Sequence, residues 1–269
     1  MWSREQLKDR AKFGLSKYYW MAFLVTFLGG ILSGGGRGGP TFNFNFGNSN
    51  WRSMNHYNNY GDRFGGLDIS DPNFIATLTM ILTGVAVVSV VALIVMAISY
   101  AWQIFLGGPI EAGMSRYFLE ARQDRSDFVN LFYSFRNGRY INTVKAMAWR
   151  LLFTMLWTLL LIIPGIIKGY AYSMVPYLMA DNPGMDYKRA LKLSMAMTDG
   201  QKFDIFVLDL SFIGWALLGV LTCGIGLLFL NPYIYATKAE LYVVLRQQAL
   251  ERGLCTAEEL NQPLSEASA

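Results

Sequence analysis

A stretch of 39 consecutive residues without Asp, Glu, Lys or Arg constrains this sequence more than any other feature. It runs from Pro72 through Ile110. About 20 apolar residues already cross the hydrocarbon core of a bilayer as a helix, and no soluble core explains a charge-free stretch of this length. Only 16% of the 269 residues are charged, against about a quarter in an average soluble domain. The sequence therefore predicts an integral membrane protein.

The alternation of apolar runs and helix-breaking residues predicts an all-α fold. We expect a polytopic transmembrane bundle of about six helices, arranged as three hairpins, with amphipathic segments on its cytoplasmic side. Proline interrupts helices because it lacks an N–H group and clashes with the preceding turn. The predicted spans are 18–33, 73–106, 146–163, 166–180, 205–221 and 225–245, within a membrane domain of residues 18–246. The predicted helix breaks are Pro109, Pro164, Gly165, Pro183 and Pro232.

Residues 1–17 are predicted to form an amphipathic cytoplasmic helix on the membrane surface. Ser3 and Gln6 have the spacing of a capping box, and Leu7, Ala11 and Leu15 recur at helical spacing. Five basic residues occupy other positions of this segment, so the anionic headgroups of the bilayer are a predicted partner. A cleaved signal peptide is the alternative, although the charged segment and the apolar run are both long for one.

The polar segments set the predicted orientation. Basic residues number five, six, four and two in the segments that a cytoplasmic N-terminus would place inside. The Gly/Asn-rich segment 34–71, predicted to be a flexible extracytoplasmic loop, has three. Because cytoplasmic loops carry the excess of Lys and Arg, both termini are predicted to be cytoplasmic, including a loosely ordered tail at 247–269. If 147–180 were instead one kinked helix, the following loop would lie outside, against the charge bias.

Several motifs resemble those of a family of bacterial membrane proteins catalogued as domain of unknown function 975. These motifs are Trp2-Ser-Arg4-Glu-Gln-Leu7-Lys8, Pro164-Gly165-Ile-Ile-Lys168, Asp181-Asn182-Pro183 and the run from Phe212 to Tyr233. This resemblance implies a location in the bacterial cytoplasmic membrane and no particular activity. The proline-glycine turn and the hairpins are also distantly similar to membrane domains attached to some glycerophosphodiester phosphodiesterases.

No group of residues in the sequence is typical of an enzyme, a cofactor site or a metal site. The only histidine, His56, lies in the Gly/Asn-rich loop, and Cys223 and Cys255 lack a metal-type spacing. The glycine-rich stretch 34–39 follows a predicted span, which is the wrong context for a nucleotide site. Nothing indicates nucleic acid as a partner. A structural or regulatory membrane protein that binds partners through segments 111–145 or 185–203 is favoured, and a transporter or permease for a small solute or lipid is the alternative.

Ionisable residues inside predicted spans are candidates for function or pairing, because burying a charge in a membrane is costly. Asp209 lies in the fifth span and Lys238 in the sixth, and a short turn makes these two helices antiparallel neighbours. We therefore predict an ion pair between Asp209 and Lys238, with Glu240 facing the headgroups or the third span. The alternative is that Lys238 extends to water on its own.

Overall fold

The computed structural model describes residues 2–33, 72–123, 125, 127–136, 140–222 and 225–260. The described regular elements are all helical, and no strand occurs among these residues. A π-helical turn spans Gln103–Gly107 and a 3-10 helix spans Phe128–Phe132. The α-helices are α1 Arg4–Leu32, α2 Pro72–Trp102, α3 Gly108–Ala121, α4 Tyr133–Arg136, α5 Tyr140–Leu160, α6 Ile162–Ala171, α7 Val175–Asp181, α8 Tyr187–Met197, α9 Lys202–Leu221 and α10 Ile225–Glu251.

Two helical stretches of the described chain are long and apolar enough to cross a membrane. They are Arg4–Leu32, in which an 18-residue stretch has a mean hydropathy of 1.3, and Ile75–Ala121, in which the corresponding value is 2.9. The all-helical fold is thus confirmed, whereas the six-span bundle stays a prediction. The predicted loop at 34–71, with His56 and the glycine-rich stretch 34–39, lies outside the described residues, as does Cys223.

The chain divides into two compact units, residues 42–101 and the remainder. The described part of the smaller unit is α2. Every side chain from Ile75 to Ser99 is exposed, and the helix has no polar face, because its apolar residues surround the whole axis. A helix that is hydrophobic all round is normally buried in a core or in a membrane.

The N-terminal half of α1 packs against the protein itself. Ser3 Oγ accepts a hydrogen bond from the Gln6 N–H at 3.2 Å, as a helix cap does. The predicted apolar stripe of Leu7, Ala11 and Leu15 is buried, and α1 contacts α10 extensively. This stripe is therefore not available to the bilayer surface. Tyr18 leaves the helical backbone region (φ −133°, ψ 24°), so a kink lies where the surface segment was predicted to meet the first span.

Helix α3 occupies the first part of segment 111–145, which the sequence predicts to be charged and cytoplasmic. Every residue of α3 except Arg116 and Glu120 is buried. Two glycines make this close packing possible. A Cβ atom at Gly113 would lie 2.0 Å from the carbonyl oxygen of Leu131, and one at Gly108 would lie 2.7 Å from Met147 Cβ. The first third of segment 111–145 is therefore a buried helix of the core.

The predicted fourth span, 166–180, is not one helix. It is divided into α6 and α7 by a turn at residues 172–174, and all seven residues of α7 are buried. At about 1.5 Å per residue, neither helix is long enough to cross a bilayer. The break predicted at Pro164 and Gly165 lies earlier, at Leu161, whose backbone is extended (φ −156°, ψ 133°). Pro164 occupies the first turn of α6, where a missing N–H group costs little.

The other predicted breaks have three different outcomes. Pro109 lies in the first turn of α3, directly after the π-helical turn, and the helical stretch continues through it. Pro183 follows the end of α7, where Asn182 is extended, so a helix does end there. Pro232 lies inside α10, and the predicted break at this residue is wrong.

The C-terminal tail is packed as far as Leu260, which corrects the prediction of a loosely ordered tail. Gly253 adopts a positive φ of 65°, and the hydrogen bonds after α10 form a Schellman-type helix end. Leu260 and Cys255 are buried. Arg189 of α8 holds Glu259 through two hydrogen bonds of 2.6 and 3.0 Å. Residues 261–269 lie outside the described chain.

Candidate functional site

Six helices of the larger unit line a cavity of about 350 Å³ that contains several charged and hydroxyl groups. Residues of α3, α5, α6, α7, α9 and α10 line it, together with the turn between α6 and α7. The lining contains two acids, two bases and several hydroxyl groups. The lining residues are Glu111, Ser115, Arg150, Thr154, Thr158, Gly165, Ile166, Gly169, Tyr170, Ser173, Tyr177, Asp209, Tyr235 and Lys238.

One side of the cavity is formed by an ion pair between α3 and α5. Arg150 Nη2 lies 3.0 Å from Glu111 Oε1. The two side chains are only 15% and 6% exposed. The same guanidinium directs Nη1 towards Met147 Sδ at 3.6 Å. Glu111 and Arg150 are therefore charged groups held well inside the helical bundle by each other.

The other side contains the pair that the sequence predicts between α9 and α10. The structure places Lys238 Nζ 3.3 Å from Asp209 Oδ2, with side-chain exposures of 13% and 10%. Asp209 Oδ1 is buried and forms no hydrogen bond of ordinary geometry with the described residues, although the Tyr170 hydroxyl lies beside the carboxylate. Buried polar atoms are nearly always paired, so this carboxylate is only partly satisfied.

A second, smaller cavity of about 220 Å³ adjoins the first. Glu111, Arg150, Thr154 and Gly169 line both. A Cβ atom added at Gly169 would meet only Thr154 Cγ2, at 3.9 Å. Gly169 therefore leaves open the space in which the two cavities meet, and a larger side chain there would project into it.

Helix α10 makes two further ionic contacts beyond Lys238. Glu240 lies 2.5 Å from Arg122 Nε at the end of α3, which corrects the prediction that Glu240 faces the headgroups or the third span. Asp181 of α7 accepts hydrogen bonds from the Tyr242 hydroxyl at 2.8 Å and from Arg246 Nη1 at 2.7 Å. These contacts fix α10 against α3 and α7, and so fix the side of the cavity that Lys238 occupies.

The arrangement suits the binding of a polar molecule. Charged and hydroxyl groups converge on an open volume, and such groups orient a ligand by hydrogen bonding. The described residues include no cluster of three or more His, Cys, Asp or Glu side chains that could hold a metal ion. The described lining also contains no histidine or cysteine.

Sequence reasoning found Asp209 and Lys238 but missed Glu111, Arg150 and Tyr177. Arg150 lies inside the predicted third span, so the rule that singled out Asp209 applies equally to it. Glu111 lay in a segment interpreted as charged and cytoplasmic rather than as part of a span. Tyr177 carried no signal, because an aromatic residue in an apolar run is ordinary. Of the predicted breaks, only Gly165 lines the cavity, where a Cβ atom would lie 2.4 Å from Thr158 Oγ1.

Comparison with known families accounts for part of the chain. The model of a family described as Protein of unknown function (DUF975) matches residues 141–249. This segment is similar to that family and covers less than half of the chain. The resemblance noted in the sequence is thereby confirmed, and the likeness to membrane domains of glycerophosphodiester phosphodiesterases is not supported. No curated protein and no solved structure matches the chain. The matched segment runs from α5 into α10 and contributes every residue that lines the larger cavity except Glu111 and Ser115.

Proposed function

We propose that this chain is a multi-pass integral protein of a bacterial cytoplasmic membrane, with both termini in the cytoplasm, and that it binds a small polar ligand between its helices. The observation that carries the second part is the cavity bounded by the Glu111–Arg150 and Asp209–Lys238 ion pairs. The first part is supported by the apolar surface of the helices.

Several described helices expose runs of large apolar side chains. At the junction of α5 and α6, five consecutive large apolar side chains from Leu159 to Ile163 are 61% to 80% exposed. On α9, Trp215, Leu217, Leu218 and Leu221 are at least 57% exposed. Contiguous apolar patches beyond a few hundred Å² mark an interaction surface or a membrane. Together with the all-round apolar surface of α2, they support lipid as the surrounding medium.

Buried charges around a cavity support ligand binding. Ionisable residues at membrane depth are costly and usually mark a pathway or a site for a polar substrate. A cavity of about 350 Å³ falls within the range of about 300–1,000 Å³ for small-molecule sites.

Irregular backbone lies beside the same cavity. Leu161 interrupts the helix between α5 and α6, and residues 172–174 interrupt it between α6 and α7. Broken helices at a polar site are typical of solute transporters. The geometry thus favours a solute-binding protein or permease over the structural or regulatory role that the sequence favoured.

A structural or regulatory role is the second candidate, and one observation favours it. Lys188 and Lys192 are exposed one turn apart on α8, whose apolar face is buried in the core. This outward cationic face can attract anionic headgroups or an acidic partner. By contrast, most of α3, which begins the other predicted partner segment, is buried and cannot present such a surface.

Thermal unfolding of the purified protein in detergent tests the binding role. A panel of small polar solutes should include at least one that raises the Tm of the wild type. Gly169→Leu should abolish that rise, because the leucine side chain projects into the space where the two cavities meet.

Gly214→Leu is the matched control, since Gly214 is exposed and a Cβ atom there meets no atom within 4 Å. It should retain the solute-dependent rise. A panel in which no solute stabilises the wild type, or in which both glycine variants respond as the wild type does, would contradict the proposed binding role.

A further inference from the structure

We propose that the larger cavity takes a small zwitterion, a molecule that carries one cationic amine and one anionic group. This inference rests on the proposed binding function and narrows it to one ligand class. It follows from the charge balance, the hydrogen-bonding capacity and the volume of the cavity.

The charges that line the cavity cancel. Glu111 and Asp209 contribute two negative charges, and Arg150 and Lys238 contribute two positive charges. A ligand with a net charge would leave one charge uncompensated beside side chains that are at most 15% exposed, which is unfavourable. A net-neutral ligand adds no such charge.

The two ion pairs leave hydrogen-bonding capacity unused. Arg150 has five N–H donors, and its ion pair with Glu111 uses one nitrogen. The Lys238–Asp209 contact of 3.3 Å is longer than the 2.7–2.9 Å of an ordinary charge-assisted hydrogen bond. Each cation can therefore donate to an added anionic group.

The carboxylates have matching capacity for an ammonium group. Each acid forms its ion pair through one oxygen, Oε1 of Glu111 and Oδ2 of Asp209. A neutral ligand such as a sugar could bond only to the dipoles and hydroxyl groups. A zwitterion can place its ammonium group beside a carboxylate and its anionic group beside a cation. Charge-assisted hydrogen bonds of this kind are roughly twice as strong as neutral ones.

The volume limits the size of the ligand. A cavity of about 350 Å³ lies at the lower end of the usual range for small molecules, which suits an amino acid or a lipid headgroup. A free amino acid and an ethanolamine lipid headgroup both carry an ammonium group and an anionic group. A free amino acid enters from water, whereas an ethanolamine headgroup belongs to the surrounding bilayer.

The test compares whole zwitterions with their halves. The full-length protein in detergent is heated with glycine, β-alanine or γ-aminobutyrate, which differ in the separation of their charges, and with acetate or methylammonium as single-charge controls. At about ten times the Kd, at least one zwitterion should raise the Tm by about 3 °C or more. Neither single-charge ion should do so, and Gly169→Leu should remove the effect while Gly214→Leu keeps it.

A second arm identifies the source of the zwitterion. The protein is placed in nanodiscs of phosphatidylethanolamine or of phosphatidylglycerol, and the free zwitterion is added. If the shift persists in both lipids, the ligand is a free solute. If phosphatidylethanolamine alone stabilises the protein and suppresses the shift, the ligand is the lipid headgroup. Either outcome supports the proposal.

The remaining outcomes overturn it. If acetate or methylammonium alone matches the zwitterions, the cavity binds single charges and the proposed ligand class is wrong. The proposed ligand class is also wrong if an uncharged solute is the only one that stabilises the wild type and if Gly169→Leu removes that stabilisation. In both cases the binding function survives. If no solute and no lipid stabilises the protein, the ligand class and the binding function fail together.

Discussion

Removing one member of the Asp209–Lys238 pair should destabilise the protein substantially. The two side chains are 10% and 13% exposed and their charged atoms lie 3.3 Å apart. Asp209→Asn keeps the shape of the side chain but leaves the Lys238 charge without its partner. Breaking a buried ion pair in this way costs about 3–5 kcal/mol. The long contact and the adjoining cavity place the expected loss at the lower end, about 3 kcal/mol.

A double-mutant cycle measures the pair itself. Lys238→Met should cost a similar amount, because it leaves the Asp209 carboxylate uncompensated. The double variant should lose clearly less stability than the sum of the two single losses, since replacing both charges of a buried pair is often nearly neutral. At about 2–4 °C per kcal/mol, each single variant should unfold about 6–12 °C earlier in a thermal scan in detergent.

A surface pair provides the control. Lys202 Nζ lies 2.9 Å from Asp199 Oδ1, and the Asp199 side chain is 78% exposed. Asp199→Asn should leave the Tm unchanged, because exposed ion pairs contribute little. If the losses in the cycle at Asp209 and Lys238 are simply additive, the two charges do not stabilise each other and the described pairing is wrong.

Two further predictions concern packing and pH. Gly113→Ala should destabilise the protein by about 1–3 kcal/mol, because its Cβ atom would lie 2.0 Å from the carbonyl oxygen of Leu131. Gly214→Ala should stabilise the protein slightly in the same thermal scan, since alanine favours helix and the site is open. If the two alanine variants change the Tm equally, the close packing of α3 at Gly113 is wrong. Arg189 lowers the pKa of Glu259 below its usual 4.5, so the contribution of this pair to tail docking is complete above about pH 4.5 and is lost as the pH falls further. Hydrogen exchange of residues 252–260, corrected for intrinsic rates, should become faster when the pH is lowered from about 6 to about 3.5. In the Glu259→Gln variant the exchange of this segment should be fast at both pH values. A wild type whose corrected exchange does not depend on pH would exclude a role of the Arg189–Glu259 pair in holding the tail.

The sequence predicted individual helices well where apolar periodicity was strong. The boundary between the surface segment and the first span, placed at residues 17 and 18, coincides with the kink at Tyr18. The stripe of Leu7, Ala11 and Leu15 was identified, but its partner was not, because a helical pattern shows that a face is apolar without showing whether lipid or protein covers it. Here α10 covers it.

Helix α3 shows why charge alone misleads. Glu111, Arg116 and Glu120 suggested a solvated segment, yet Ile110, Met114 and Phe118 follow at intervals of four and are fully buried. The charges are tolerated because each has a partner: Arg150 pairs with Glu111, and Arg116 with Glu120. Those partners are set by tertiary packing, which local sequence does not reveal.

The cavity could be predicted only in part. Asp209 and Lys238 were found because a short turn makes α9 and α10 neighbours. The convergence of α3, α5 and α7 on the same space depends on the breaks at Leu161 and at residues 172–174. Pro164 and Pro176 follow these breaks within a few residues, so the sequence signals a break nearby but not its position or the direction in which the chain turns.

Reporter fusions along the chain test the multi-pass membrane topology most directly. A fusion after Asn58 should report an extracytoplasmic location, whereas fusions after Asp127, Asp199 and Ala269 should all report the cytoplasm. This pattern follows from the distribution of basic residues, which predicts that both termini and the segments at residues 127 and 199 lie on the cytoplasmic side. A cytoplasmic signal at residue 58, or opposite signals at residues 127 and 199, would contradict the proposed topology.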